Sequence, residues 1–226
     1  MSTTLPITFS TVALSDAPAY PHAHARPAEP TPLPWPLKSF GSATCGIERL
    51  PDGRLSHWIR HEVLRGVTPS MLAWWFANLE GDVLIDGRRI NRYRAWHPYD
   101  HVHASYARRL PDGSIGPGAA IRLREYLGAN AHYEVDIVTD IEKLDEEGYV
   151  HNPRVHGIAG LVRMEYRFRR VAQGTQCWRR GITPLLQRWH FDRARGLAWL
   201  RHNIEEVGQL ERFLPRLYRE ETGLDE

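Results

Sequence analysis

Between Pro184 and Pro215 the chain repeats apolar residues at helical spacing: Leu186, Trp189, Leu197, Leu200, Ile204, Val207, Leu210 and Leu214. A stripe that long demands a large apolar partner, because helices in proteins are held mainly by burying one face. Thr183-Pro184 reads as N-cap and first helical position, and Pro215 as the end of the run. Beside this stripe runs a second: Ala198, His202, Glu206, Gln209 and Phe213. Small, polar and aromatic side chains stand where solvent would favour Lys and Arg, which suits the wall of a cavity. His202 and Glu206 are four residues apart, one turn above the other, so an imidazole nitrogen and a carboxylate oxygen can reach a single cation. Such pairs are common on solvated helices. The surroundings single this one out.

The rest of the chain must supply what the helix packs on. At 226 residues it is long enough for one large domain with a sizeable core. Residues 1–36, polar and dense in proline, cannot bury enough apolar area to offset their ordering entropy, and read as an extended arm draped over the domain or a partner subunit. Residues 37–226 read as a single domain. Pro51-Asp52-Gly53 is turn chemistry between two strands, Cys45–Leu50 and Leu55–Leu64. Thr68-Pro69 starts a short helix carrying Trp74, Trp75 and Phe76, which cannot all face one way. Core anchoring and the lining of a pocket are both open to them.

Residues 90–109 read as a bent strand or strand pair broken at Pro98, with His101, His103 and Ser105 on one face. In the next strand Ile121, Leu123, Glu125 and Leu127 share a face. A carboxylate in an apolar row is costly to bury unless paired or bound to a cation, which makes Glu125 informative. In His132–Ile141 the alternation turns Glu134 outward, though a slip of one residue would exchange the two faces. Residues 142–156 read as an acidic turn and loop carrying His151 and His156. Ile158–Val171 reads as a strand with Val162, Met164, Tyr166 and Phe168 on one side. Together these elements make an α+β domain, a curved antiparallel sheet wrapped around the long C-terminal helix with a ligand cavity between them.

Charge and cysteine content remove several classes. Lys+Arg 29 against Asp+Glu 27 gives a net +2 and no basic cluster, so nucleic acid is not expected as a partner. Cys45 and Cys177 are far apart and outside any Cys-x-x-Cys spacing, which points to a reducing compartment rather than a disulfide framework or a cysteine zinc cluster. No apolar run approaches the roughly 20 residues of a membrane span, and no secretory signal is visible. The expectation is a soluble cytoplasmic protein, with a homodimer left open.

Three motifs in order, Thr68-Pro69-Ser70-Met71-Leu72-Ala73-Trp74-Trp75-Phe76, Tyr93-Arg94-Ala95-Trp96-His97-Pro98-Tyr99-Asp100-His101 and His202-Asn203-Ile204-Glu205-Glu206, resemble the 2,4-diacetylphloroglucinol hydrolase family, to which phloretin hydrolase also belongs. The resemblance implies a START-like (Bet v 1-like) helix-grip fold. It also implies a Zn2+-dependent hydrolase that cleaves a carbon–carbon bond next to a carbonyl in an acylated phenolic or diketone compound. The ligand set it implies is His101, His202, Glu206 and a strand glutamate, for which the alternation selects Glu125 over Glu134. Tyr93 is similar to a tyrosine that contacts the substrate's oxygens. Tyr93 or His103 is then the proton donor to the expelled carbanion, and Tyr93, Trp74 and Tyr166 are the substrate-binding side chains. Trp75 and Trp96 fit either an aromatic wall or the core. Asp100 either orients a ligand histidine or caps a turn. Iron or manganese would also accept two histidines and two glutamates. A non-catalytic helix-grip protein binding a hydrophobic small molecule is the alternative, since the fold serves both uses. A cyclase or decarboxylase on the same scaffold is a third reading.

Overall fold

The computed structural model describes residues 9–11, 29–154, 157, 158, 160–183 and 193–224. Its centre is a ten-stranded antiparallel sheet. The strands are β1 (Phe9–Thr11), β2 (Ala43–Arg49), β3 (Leu55–His61), β4 (Leu64–Arg65), β7 (His101–Arg108), β8 (Ala120–Tyr126), β9 (Glu134–Asp145), β10 (Gly148–Pro153), β11 (Arg163–Val171) and β12 (Gly174–Thr183). Their order is β1-β2-β3-β12-β11-β10-β9-β8-β7, with β4 paired to β12. From β7 to β12 each strand lies beside the next in sequence, the topology that short hairpin connections give most readily. A separate hairpin joins β5 (Asp82–Ile85) and β6 (Arg88–Asn91).

Helix α3 (Arg193–Thr222) lies in the grip of this sheet and buries both stripes of its sequence. Leu200, Ile204, Leu210 and Leu214 are fully buried, and so are His202, Glu206 and Gln209. The expected start at Thr183-Pro184 lies outside the described residues of the helix: Thr183 ends β12, and Pro184, Leu186 and Trp189 are not described. At the other end the helix continues past Pro215 to Thr222. A proline inside a helix costs about 3 kcal/mol, and the burial of Leu217 and Tyr218 beyond it offsets that cost. This is the helix-grip arrangement of an α+β domain. Among the described residues no helix is long and apolar enough to cross a membrane.

Two other expectations are corrected. Residues 92–96 form a short helix, α2, because the Asn91 side chain accepts the Arg94 N–H at 3.2 Å and caps it. The stretch 142–156 continues the sheet: β9 runs to Asp145 and turns at residues 146–147 into β10, which buries His151, while His156 lies outside the described residues. The start of α1 (Pro69–Ala77) is as read, with Thr68 accepting the Met71 N–H at 3.2 Å and Pro69 at the first helical position. Within the proline-rich segment, β1 pairs with β2, and Leu33 and Trp35 pack on the core with the Trp35 ring stacked on Phe213.

Candidate metal centre

Two pairs of side chains converge between sheet and helix. His101 and Glu125 face each other across the β7–β8 rung, and His202 and Glu206 are one turn apart on α3. His101 Nε2 lies 3.4 Å from Glu206 Oε2 and 3.7 Å from Glu125 Oε2, and His202 Nε2 lies 3.7 Å from each of those oxygens. Ligands about 2.0–2.1 Å from a tetrahedral zinc stand roughly 3.3–3.4 Å from one another, so this spacing is a slightly relaxed version of such a cage. Both histidines and Glu206 are only 2 % exposed.

Hydrogen bonds at the far side of each ring fix which nitrogen faces the centre. His101 Nδ1 donates to the Tyr93 carbonyl at 2.8 Å, which leaves Nε2 as a lone pair with no partner although it is buried. His202 Nδ1 donates to Asp100 Oδ2 at 2.8 Å. An acceptor behind the imidazole is the usual arrangement around a metal-ligating histidine. Asp100 also accepts the backbone N–H groups of Gly128 at 2.8 Å and Ala129 at 2.7 Å. These two residues have positive φ, +65° and +51°, and Ala129 is one of the few non-glycine residues to do so. Asp100 therefore both holds a strained corner and orients His202. Behind it His97 accepts the Asp100 N–H at Nδ1 and donates from Nε2 to Glu205 at 3.2 Å.

The carboxylates are held in the same manner. Tyr93 OH donates to Glu125 Oε2 at 2.6 Å, and Tyr166 OH donates to Glu206 Oε1 at 3.2 Å. Arg179 on β12 donates to the same Glu206 oxygen. The electrostatics call for positive charge. Burial opposes charging His202, yet Glu125, Glu206 and Asp100 outweigh it and raise its pKa to about 9. Burial also opposes ionisation of Glu206, but Arg179 and His202 outweigh it and hold the group below the usual carboxylate range. His101 is pushed down by burial, and Tyr93 is raised by burial and by Glu125.

The centre opens into a cavity of about 400 Å³ lined by Phe76, Tyr93, Trp96, Glu125, Tyr149, His151, Tyr166, Arg179, His202 and Glu206, among others. Tyr93, Tyr166 and Glu125 all line this cavity. Glu134 pairs with Arg124 at 3.0 Å on the exposed face.

Two residues are not where they were expected. His103 is exposed and cannot reach the centre: β7 bulges after His101, so that His101 pairs with Glu125 but His103 pairs with Arg124, and simple alternation fails there. Trp74 does not line the cavity. It packs edge-on against Tyr218 at 5.4 Å and lies 5.5 Å from the Arg92 guanidinium, while Trp75 is a core anchor against Trp96 and Phe213. Several lining residues, Tyr149 and Trp199 among them, were not singled out, and three are instructive. Phe76 was legible as the inward member of its aromatic triplet, His151 was hidden by reading its strand as a loop, and Arg179 had no signal in an arginine-rich chain.

With this geometry in view, the sequence match is informative. Residues 40–159, just over half of the chain, match the DAPG hydrolase PhiG domain. The chain belongs to the DAPG hydrolase family. The match includes His101 and Glu125 and stops before His202 and Glu206, so within this DAPG hydrolase family member the α3 half of the centre stands on its geometry. A search of curated proteins finds no match. Solved structures similar to the chain include protein NE0264 from Nitrosomonas europaea, at 11 % identity and TM-score 0.44 over 75 % of this chain and 97 % of that one. Protein Ms6760 from Mycobacterium smegmatis is similar at 11 % identity and TM-score 0.46, over 75 % and 96 %. Ara h 8.0201 is similar at 12 % identity and TM-score 0.37, over 66 % and 96 %.

Proposed function

We propose that this member of a hydrolase family is a zinc enzyme that cleaves a carbon–carbon bond next to a carbonyl in an acylated phenolic or diketone compound. The observation that carries the reading is the buried, unpartnered Nε2 of His101, with Glu125 and Glu206 oxygens 3.4–3.7 Å away and His202 completing the set at the floor of a cavity. His101, Glu125, His202 and Glu206 would hold the ion. Bound zinc supplies Lewis-acid chemistry, polarising an oxygen and making water a better nucleophile near neutral pH.

The remaining work falls to the chain's own side chains. Phe76, Trp96 and Tyr149 give the cavity flat apolar walls that suit an aromatic acyl compound and exclude bulk water. Tyr93 and Tyr166, both protonated, orient the two carboxylates and present hydroxyls to substrate oxygens. Water adds to the acyl carbon, forming a C–O bond. The bond from that carbon to the ring, or to the central carbon of a diketone, then breaks. Its electron pair stays on the departing carbon, which takes a proton from Tyr93, the donor we assign, and the proton given up by the attacking water restores the Tyr93 hydroxyl. A carboxylate and the deacylated compound are the products.

The test is elemental analysis of untagged protein, wild type beside Glu206→Ala, followed by a screen of acyl-phenols for released carboxylate. About one zinc per wild-type chain, lost in the variant, together with carboxylate release, is the expected result. Absence of stoichiometric metal after zinc is supplied would leave a small-molecule binding protein as the better reading.

A further inference from the structure

Arg179 is more than a counter-ion. It is 8 % exposed, its guanidinium lies 4.3 Å from the Tyr166 ring centroid and 5.1 Å from that of Trp199, and it forms part of the cavity wall beside the centre. Among the described residues its Nη1 alone has a hydrogen-bond partner, Glu206 Oε1, and its buried Nε has none. Glu206 Oε1 already accepts the Tyr166 hydroxyl, so a full guanidinium exceeds what that oxygen needs. Burying a charge with unused donors is costly unless an acceptor arrives. With the Tyr166 and Trp199 rings close by, the polar outlet of the guanidinium is its own N–H groups, a planar fork that suits oxygen anions.

We infer that Arg179 recognises an anionic oxygen of the substrate, a phenolate, enolate or carboxylate beside the acyl carbon, and so selects acidic acyl compounds over neutral ones. This rests on the hydrolytic reading of the centre and narrows it. For a phenolate or enolate the benefit continues through the reaction. The electron pair released when the carbon–carbon bond breaks is delocalised onto that oxygen, and Arg179 is already in place where the charge collects.

The test uses three ligands that share one acetylated ring: 4-acetylphenol, 4-acetylbenzoate and the neutral ether 4-methoxyacetophenone. Affinities are read by calorimetry on wild type, Arg179→Lys and Arg179→Met, with zinc content and thermal melting of each. The wild type should bind one or both anions at least tenfold more tightly than the ether. A phenolate preference grows as pH rises through the phenol's own ionisation, whereas a carboxylate preference stays level. Arg179→Lys keeps a cation beside Glu206 but loses the fork, so the preference should fall at least fivefold, and in Arg179→Met it should vanish while zinc is retained. No preference in the wild type, or an undiminished one in either folded variant, would overturn the inference. So would joint loss of zinc and preference, because Arg179 would then act only by placing Glu206. If Arg179→Met does not fold, Arg179→Lys decides alone. A metal-free wild type would sink the hydrolase reading while leaving the anion preference measurable.

Discussion

Glu206 gives His101 one of its oxygens and keeps the other for the sheet: Oε2 lies 3.4 Å from His101 Nε2, while Oε1 accepts from Arg179 and Tyr166. One carboxylate therefore joins the proposed metal ligands to a buried cation. Truncation should cost both. Glu206→Ala is expected to lose metal and to destabilise the fold by roughly 3–5 kcal/mol, because it strands the Arg179 charge in the interior. Adding Arg179→Met should recover much of the stability and none of the metal, as read by urea denaturation and elemental analysis. A double variant no more stable than Glu206→Ala would argue against this coupling.

Asp100→Asn tests the support behind His202. The amide keeps one acceptor for the Gly128–Ala129 corner but no longer favours the Nδ1–H form of His202. Zinc affinity should drop about 10–100-fold, the usual cost of losing a hydrogen-bond partner behind a ligand histidine. Chelator competition measures it, and unchanged affinity would reduce Asp100 to a loop cap.

The neighbouring tryptophans should separate cleanly. Trp75 is 0 % exposed, and Trp75→Ala should cost about 3–5 kcal/mol in chemical denaturation. Trp74→Ala, on the partly exposed side of α1, should cost about 1 kcal/mol and leave the affinity for acetylated-ring ligands as it was. Weakened ligand binding by Trp74→Ala would restore it to the cavity.

Acid should weaken the fold through buried histidines outside the candidate ligand set. Burial lowers the pKa of His57 from 6.5 to about 4. The folded form thus resists a proton that the unfolded chain accepts. Its contribution is complete above pH 6.5 and is lost as pH falls toward 4, at up to about 1.4 kcal/mol per pH unit. His61 and His151, lowered to about 3 by burial, act in the same direction. Urea denaturation at about pH 7 and about pH 5 should show the decline, with a shallower slope in His57→Gln. Equal slopes would show that His57 is not the group responsible.

Much of this was legible from periodicity. The helix stripe and the i, i+4 pair fixed α3 and half of the centre, because helical spacing is insensitive to distant contacts. Alternation in β8 identified Glu125, since Ile121 and Leu123 flank it without interruption. What failed did so where one local event overrides a pattern. A capping Asn91 turned an expected strand into α2, burial of Leu217 and Tyr218 carried α3 through Pro215, and a bulge in β7 moved His103 to the surface. Arg179 was illegible because its role comes from three partners on two other elements, none of them near it in sequence.

The bulge after His101 has a consequence for how relatives of this chain can vary in length. Strand faces obey a parity rule, and Val102 is the extra residue that resets parity between His101 and the stretch up to Tyr106, with a second irregularity between Tyr106 and Arg108. Between Tyr93 and His101 the count is locked, because the Tyr93 carbonyl and hydroxyl serve His101 and Glu125 at once; one residue gained or lost there would turn the imidazole away. The turn between β7 and β8 lies beyond both irregularities and carries none of the candidate ligands. Insertions and deletions should therefore collect in the turn between β7 and β8, and a variant lengthened there by a few residues should keep its metal, whereas a single residue added before His101 should not.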